Sequence, residues 1–181
     1  MKVIGELIGK ENKLSNVRFI ADLHVGHHNM VTGMLGFRDV YHHQEHLIEQ
    51  WNSVVHKKDM TYILGDVTME SNEYTFLDRL NGNKVVVMGN HDRRQYVPEL
   101  LQYVGTVAGM VKYSDKRYGR IWLTHCPIHP MEMDKVARVR YNIHGHIHSG
   151  YKIDDPRYIC VCAEQIDYKP KLLSELNIKL L

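Results

Sequence analysis

One stretch of this sequence passes from an apolar run directly into three polar residues that could carry metal or proton chemistry. Residues 84–88 read Lys-Val-Val-Val-Met, which is typical of a strand buried on both faces, and they lead through Gly89 into Asn90, His91 and Asp92. Imidazole and carboxylate groups bind divalent metals and also transfer protons. The same residue types are common in turns, so this segment taken alone fits an ordinary surface turn equally well.

Four further apolar runs end in the same way. Asp22 and His24 follow residues 17–21 and are two positions apart, so an extended backbone points both side chains to the same side. The other three exits carry Asp66 after residues 60–64, His125 after residues 120–124, and His146 and His148 within residues 142–148. Because ligands in open α/β sheets collect beyond the carboxyl ends of strands, we expect all five exits to meet at one edge.

The ligand types in these exits indicate the kind of metal. A site built from imidazoles, carboxylates and one amide, with no thiolate, suits manganese, iron, zinc, cobalt or nickel rather than calcium or an iron–sulfur cluster. The number of candidate ligands is sufficient for two ions.

The elements that must position these residues alternate in the first half of the chain. Strands are predicted at residues 17–21, 60–64 and 85–88, with amphipathic helices at 41–56 and 73–80, which indicates a largely parallel sheet with covering helices. Beyond residue 94 the pattern predicts successive strands joined by turns at 104–107, 110–113 and 120–124, a loop or short helix at 128–140, strands at 142–144 and 158–163, and a small closing helix at 171–177. We expect one domain over residues 1–181, with residues 1–16 as an additional strand and connection.

Composition narrows the function classes. The chain has 181 residues, 44% hydrophobic and 24% charged, as in an ordinary globular protein, and a net charge of +2, which is too small to indicate binding to long nucleic acids or to membranes. Thirteen histidines are many for this length and favour metal chemistry. Those in the helix at 41–56, namely His42, His43, His46 and His56, are interpreted as residues of its solvated face, and His28 and His144 as structural.

Cysteine usage favours a reducing compartment. The three cysteines Cys126, Cys160 and Cys162 form no zinc-type pair and are interpreted as buried reduced thiols, so a cytoplasmic location is expected. Glu6 and Lys10 interrupt any apolar region that could serve as a signal peptide, and no apolar run approaches the length of a membrane span.

The order of the motifs resembles a known family. Asp22-x-His24, Gly65-Asp66, Gly89-Asn90-His91-Asp92, His125 before a proline-containing loop, and Gly145-His146-x-His148 are similar to the ordered signature of the calcineurin-like metallophosphoesterases. The short chain is similar to the small stand-alone bacterial, archaeal and phage members. The resemblance implies an α/β fold of the four-layer α/β/β/α sandwich type, with two mixed sheets flanked by helices.

The resemblance also implies a role for each motif residue. The first of two divalent ions would be held by Asp22, His24 and His148, the second by Asn90, His125 and His146, and Asp66 would bridge them. A hydroxide between the ions would attack phosphorus, His91 would donate a proton to the leaving oxygen, and Asp92 would orient His91. Manganese is the favoured ion, with iron, nickel, zinc, cobalt or magnesium as alternatives.

The substrate implied is a small phosphoester. Phosphoprotein phosphatases of this superfamily carry an arginine after the Gly-Asp motif, and residues 65–69 lack it, so that activity is not expected. We expect a phosphodiesterase acting on a small diester such as a cyclic nucleotide, or on a nucleic-acid end, in a monomer or homodimer. Substrate contacts are expected from Asn90, His27, Arg93, Arg94 and His129, with a solvated helix start as the alternative for the two arginines. A phosphomonoesterase, a nuclease and a catalytically silent binding module remain as alternative functions.

Overall fold

The computed structural model describes residues 16–68, 73–133 and 138–180, so the strand predicted within residues 1–16 lies outside the described residues. The first of two sheets has five strands in the spatial order β4-β3-β2-β1-β9. Its strands are β1 (Val17–Ile20), β2 (Met60–Leu64), β3 (Asn83–Val87), β4 (Thr106–Ala108) and β9 (Lys171–Leu172). Strands β1 to β3 are parallel, as the strand–helix alternation predicts. Strand β4 is also parallel to β3, and β9 runs antiparallel to β1.

The second sheet has four strands in the order β5-β6-β7-β8. They are β5 (Val111–Asp115), β6 (Gly119–Leu123), β7 (Val139–His144) and β8 (Tyr158–Cys160). Only β5 and β6 form an antiparallel hairpin, whereas β6, β7 and β8 are parallel. The expected run of successive strands joined by turns is therefore corrected: β4 joins the first sheet beside β3, and β7 returns to pair in parallel with β6.

Helices flank the sheets, and most of them are short. The longest is α1 (Val40–Val54), where the Asp39 side chain caps the start by accepting a hydrogen bond from the backbone N–H of His42 at 2.7 Å. Its residues Leu47 and Trp51 are fully buried against the sheet. A second α-helical turn, α2, covers Val97–Leu100, and none of the helices in the described part of the chain is long and apolar enough to cross a bilayer.

Two predicted helices take other forms. The helix expected at 73–80 is a 3₁₀ helix at Thr75–Arg79. The closing helix expected at 171–177 is wrong, because Leu172 pairs with Arg18 in β9 and only a 3₁₀ turn at Leu173–Glu175 follows. Hydrogen bonding to an existing sheet edge outweighs the weak helical preference of so short a segment.

The core lies between and beneath the two sheets. Phe19 of β1 stacks on Tyr62 of β2 with ring centroids 5.8 Å apart, and it meets Tyr113 of β5 edge-on at 5.7 Å, so side chains of both sheets interlock. A backbone bridge between Ala21 and Cys162 joins the ends of β1 and β8. The fold is thus α/β with two mixed sheets flanked by helices, which confirms the expected fold class.

Two groups of side chains are placed differently from expectation. His43 is fully buried rather than solvated, because Phe37 and Tyr168 cover it with ring centroids at 4.9 and 5.5 Å. All three cysteines are free thiols, but Cys126 is exposed, Cys160 is half-buried and only Cys162 is buried.

Candidate metal centre

The strand exits are joined to one another by backbone hydrogen bonds. The N–H of Asp22 donates to the carbonyl of Gly65 at 3.0 Å, which links the ends of β1 and β2. The N–H of Gly145 donates to the carbonyl of His125 at 2.9 Å, which links the ends of β7 and β6. These bonds hold the loops in a fixed arrangement, so the side chains that the loops carry are fixed as well.

The backbone at these exits is strained. Of the eight non-glycine residues with positive φ in the described ranges, five are predicted ligands: Asp22, His24, Asp66, His146 and His148. The left-handed conformation costs an L-residue on the order of 1 kcal/mol or more, and it persists where the surroundings impose it. Concentration of that strain in the predicted ligands is typical of a functional site.

Two glycines make room for the carboxylates. A Cβ atom added to Gly89 would stand 2.1 Å from Oδ1 of Asp66, and one added to Gly145 would stand 2.1 Å from Oδ2 of Asp22. Both distances are far below van der Waals contact, so the Gly-Asn-His and Gly-His-x-His motifs require glycine for close packing against the opposite loop.

The first ligand group consists of Asp22, His24 and His148. Oδ1 of Asp22 lies 3.6 Å from Nε2 of His24 and 3.5 Å from Nε2 of His148, and the two nitrogens are 3.3 Å apart. This oxygen is buried and has no hydrogen-bond partner. Since an anionic oxygen buried without a partner is costly, the three converging atoms fit a bound cation.

The second ligand group consists of Asn90, His125 and His146. Oδ1 of Asn90 lies 2.8 Å from Nε2 of His125 and 2.9 Å from Nδ1 of His146. The carbonyl of Leu64 lies 2.9 Å from Nδ1 of His125, so that nitrogen carries the proton and Nε2 is left to face the site. His125 is buried, whereas Asn90 and His146 are exposed.

Asp66 lies between the two groups. Its Oδ2 is 3.8 Å from Nε2 of His24 and 3.3 Å from Nε2 of His125. Its Oδ1 accepts a hydrogen bond from the backbone N–H of His91 at 3.0 Å. One carboxylate therefore contacts a histidine of each group and also fixes the loop that carries His91.

Carboxylates and imidazoles perturb one another strongly here. Burial alone would raise the pKa of Asp22 and of Asp66, but the neighbouring histidines and backbone N–H groups outweigh it, so both pKa values are lowered. For His125, burial acts to lower the pKa, but contact with Asp66 prevails and raises it to about 9. The carboxylates are thus ready to hold cations, and metal uptake at neutral pH would displace protons from histidine.

Asp92 has partners different from the one expected. Its carboxylate accepts hydrogen bonds from the backbone N–H groups of Asp66, Val67 and Gly89, at 2.9, 3.0 and 2.8 Å. Burial raises its pKa although these three bonds oppose the shift. Asp92 therefore ties the β2 and β3 exits together, and any influence on His91 passes through the backbone rather than through a bond to its ring.

Comparison with known proteins identifies relatives that match over most of their length. The chain matches no model of a known protein family. It is 28% identical over 179 residues to an uncharacterized protein of Methanocaldococcus jannaschii, covering 93% of this chain and 92% of that protein. It is 30% identical over 167 residues to the Gene 66 protein of Mycobacterium phage D29, covering 75% of this chain and 80% of the phage protein. The chain belongs to the same family as this phage protein.

One solved structure shares the fold of this chain. A protein of unknown function from Aquifex aeolicus superposes with a TM-score of 0.68 at 25% sequence identity, covering 86% of this chain and 94% of that one. An archaeal phosphodiesterase superposes with a TM-score of 0.48 at 16% identity, over 81% of this chain and 82% of that one. The Aquifex protein thus has the same arrangement of sheets over nearly its whole length.

Five ordered motifs are brought together at one edge between two mixed sheets. This is the arrangement that the resemblance to the calcineurin-like metallophosphoesterases implies. Within the described residues, the metallophosphoesterase motifs supply both ligand groups and the carboxylate between them.

The residues expected to contact substrate are placed less uniformly. His27 is half-buried, with its ring centroid 6.1 Å from that of His24. Arg93 and Arg94 are exposed at the start of a short 3₁₀ turn, and within the described residues neither guanidinium makes a hydrogen bond or ion pair. His129 is exposed and its Nδ1 accepts a hydrogen bond from the N–H of Met131 at 3.3 Å. Only His27 of these four has a contact with a ligand histidine.

Three residues around the first ligand group were missed by sequence reasoning. Oε1 of Glu164 lies 3.1 Å from Nδ1 of His148, and the Gln165 side chain donates to the carbonyl of the same histidine. The Cys162 thiol donates to Oδ2 of Asp22 at 3.2 Å. These residues lie in no metallophosphoesterase motif, and only the fold brings them to the site.

A cavity of about 580 Å³ lies at the end of β7 opposite the strand exits, where Val139, Arg140 and Tyr141 line it. The chemistry-bearing side chains of the strand exits are not part of that lining, and their convergence marks the functional site better than cavity size does.

Proposed function

We propose that the protein is a two-metal phosphoester hydrolase that cleaves small phosphodiesters such as cyclic nucleotides. The observation that carries the proposal is the position of Asp66, whose Oδ2 contacts His24 of the first ligand group and His125 of the second. The residues of the two groups would hold two divalent ions, and such ions would lower the pKa of a bound water and neutralise charge on a phosphoryl group. Manganese is the ion to test first.

His91 is the proposed proton donor to the leaving alcohol. Its ring centroid is 5.8 Å from that of His24, and its side chain is half-exposed at the mouth of the site. The hydrogen bond from its backbone N–H to Asp66 holds it beside the residue shared by both groups. Proton donation of this kind contributes about 10²–10⁴-fold to a rate.

The charge around the site supports a diester. The hydrogen bonds and ion pairs of the ligand groups involve histidine, carboxylate, amide and thiol groups, with no lysine or arginine of the described residues. A phosphodiester carries one negative charge, whereas a phosphomonoester carries close to two, so the diester needs less positive charge from the protein. The exposed Asn90 and His146 leave one side open for its second ester group.

The test compares hydrolysis of bis-p-nitrophenyl phosphate with that of p-nitrophenyl phosphate. Metal-stripped protein is reloaded with manganese, nickel, zinc or magnesium, and His91→Ala is measured beside His28→Ala, which changes an exposed histidine of the neighbouring loop. We expect metal-dependent diester turnover that falls about 10²–10⁴-fold in His91→Ala and is unchanged in His28→Ala.

Other outcomes would redirect the assignment. A preference for the monoester would make the protein a phosphomonoesterase. Bound metal without turnover of either ester would favour a binding module of the same fold.

A further inference from the structure

The two ring nitrogens of His148 face different partners. Nε2 points to the first ligand group, 3.5 Å from Oδ1 of Asp22 and 3.3 Å from Nε2 of His24. Nδ1 lies 3.1 Å from Oε1 of Glu164. A carboxylate oxygen accepts hydrogen bonds, so Glu164 favours the His148 tautomer with its proton on Nδ1, which leaves the lone pair of Nε2 to face the ligand group.

The fold holds Glu164 firmly in this position. It lies in a 3₁₀ helix, Ala163–Ile166, that begins directly after the backbone bridge between Cys162 and Ala21. The N–H of Ala163 donates to the carbonyl of Ala21 at 2.9 Å, one residue before Asp22. Gln165, the next residue along, donates to the backbone carbonyl of His148. Side chain and main chain of His148 are therefore both held by consecutive residues of this helix.

The other histidines of the site lack such a partner. Nδ1 of His125 has the neutral carbonyl of Leu64, and Nδ1 of His146 faces Asn90 inside the site. Nδ1 of His24 is buried with no hydrogen-bond partner in the described residues. Only His148 of the four combines a nitrogen facing the ligand group with a carboxylate on the opposite nitrogen.

We propose that Glu164 is a positioning residue that fixes the tautomer and orientation of His148 and so strengthens binding of the first ion. The inference rests on the proposed function in one respect, namely that His148 holds a metal. A carboxylate hydrogen-bonded to a metal-bound histidine makes the imidazole a better donor to the ion, and loss of such a partner costs about 10–100-fold in metal affinity. The side chains of Glu164 and His148 are 15% and 18% exposed, so water screens this pair only partly.

The experiment measures metal affinity rather than turnover. Metal-stripped wild type, Glu164→Ala and Glu164→Gln are titrated with manganese against a competing chelator, and His148→Ala identifies the binding step that belongs to the first ion. We expect Glu164→Ala to bind the first ion about 10–100-fold more weakly while the second step is unchanged. Glu164→Gln should fall in between, because its amide oxygen can still accept the hydrogen bond.

Two further variants distinguish positioning of His148 by Glu164 from a general effect on folding. Glu49→Ala, which removes an exposed carboxylate of α1, should bind both ions like wild type. The double variant Glu164→Ala/His148→Ala should bind metal with the same affinity as His148→Ala alone, since a residue that acts through His148 has no effect without it. Thermal unfolding of each metal-free variant verifies that the fold is retained.

Several results would overturn the inference: unchanged affinity in Glu164→Ala, equal weakening of both steps, or loss of a whole ion, which would make Glu164 a ligand. Wild type that binds no ion would overturn both this inference and the proposed function. Wild type that binds two ions, with the first weakened in Glu164→Ala, but hydrolyses neither ester would overturn the proposed function and support the role of Glu164.

Discussion

The two ligand groups of the site differ in enclosure. In the first group, Asp22 and His24 are each 2% exposed, and Glu164 and Cys162 support its members from behind. In the second group, Asn90 and His146 are exposed, and only His125 is buried. The same motif, Gly-His-x-His, supplies one histidine to each group, and the exposed His146 and the half-buried His148 differ through their surroundings.

This contrast suggests that the two groups differ in how tightly they bind an ion and in how accessible that ion is to solvent. An ion in the first group would be shielded from water by buried ligands with outer hydrogen bonds, which favours tight binding and slow exchange. An ion in the second group would face solvent on the side where a phosphoester must approach. Substitutions and metal-release kinetics can measure whether the two groups bind ions independently and how unequal their affinities are.

The largest effect is expected from Asp66→Asn. Replacing the carboxylate that contacts both groups with a neutral amide should weaken binding of both ions by more than the roughly 10–100-fold that follows loss of an outer partner. The measurement is metal content after desalting, with Asp78→Asn, an exposed carboxylate, as the control. Retention of one ion at wild-type affinity would show that Asp66 serves one group only.

A second prediction concerns the pKa of His43. Burial, together with the nearby His24 and His46, lowers this pKa to about 4. Below pH 6.5 the unfolded chain gains a proton that the folded protein does not accept until about pH 4. The contribution of neutral His43 to the free energy of unfolding should therefore be fully present above pH 6.5. It should fall by up to about 3 kcal/mol as the pH drops to 4.

Denaturant unfolding at several pH values measures this loss. His43→Phe, which keeps the aromatic packing against Phe37 and Tyr168, should lose less stability over that interval than wild type does. His42→Phe, on the exposed side of the same helix, should behave like wild type. Parallel pH curves for wild type and His43→Phe would contradict the prediction.

The candidate ligand residues could be located from sequence because each follows a recognisable apolar run. Asp22, Asp66, Asn90 and His125 each lie two or three residues after the end of a strand that the structure contains. A strand buried in a sheet must end at the edge, so the position of its next polar residue is nearly fixed by local pattern. The order of the motifs along the chain then indicated which strand ends contribute to the same ligand group. No local sequence pattern contains that information.

What could not be predicted depends on contacts between distant segments. Glu164 reaches His148 only because β8 is tied to β1, and nothing in its own neighbourhood of sequence marks it. His43 did carry a signal, since it precedes the buried Leu47 by four residues and Trp51 by eight, yet its cover comes from Tyr168 far along the chain. Residue type alone placed it wrongly on the polar face.

A third prediction perturbs the first ligand group through its packing. In Gly145→Ala the new Cβ would stand 2.1 Å from Oδ2 of Asp22, so the carboxylate must shift. Misplacement of a ligand on the ångström scale should weaken binding of the first ion by about 10–100-fold and leave the affinity for the second ion nearly unchanged. Gly109→Ala, where nothing lies within 4 Å of the added atom, is the control for the competition titration. Equal weakening of both ions would show that the groups move together.

The smallest expected effect is a difference between the two groups in the rate of metal release. When chelator is added to the fully loaded protein, the ion of the exposed second group should leave first, at least about tenfold faster, equivalent to ~1.4 kcal/mol between the two release barriers. Stopped-flow detection of the chelated metal should then show two phases. His146→Ala should abolish the fast phase and His148→Ala the slow one, because each removes a ligand of one group. Release of both ions in one phase would mean that Asp66, in contact with both groups, couples them so strongly that enclosure no longer distinguishes them.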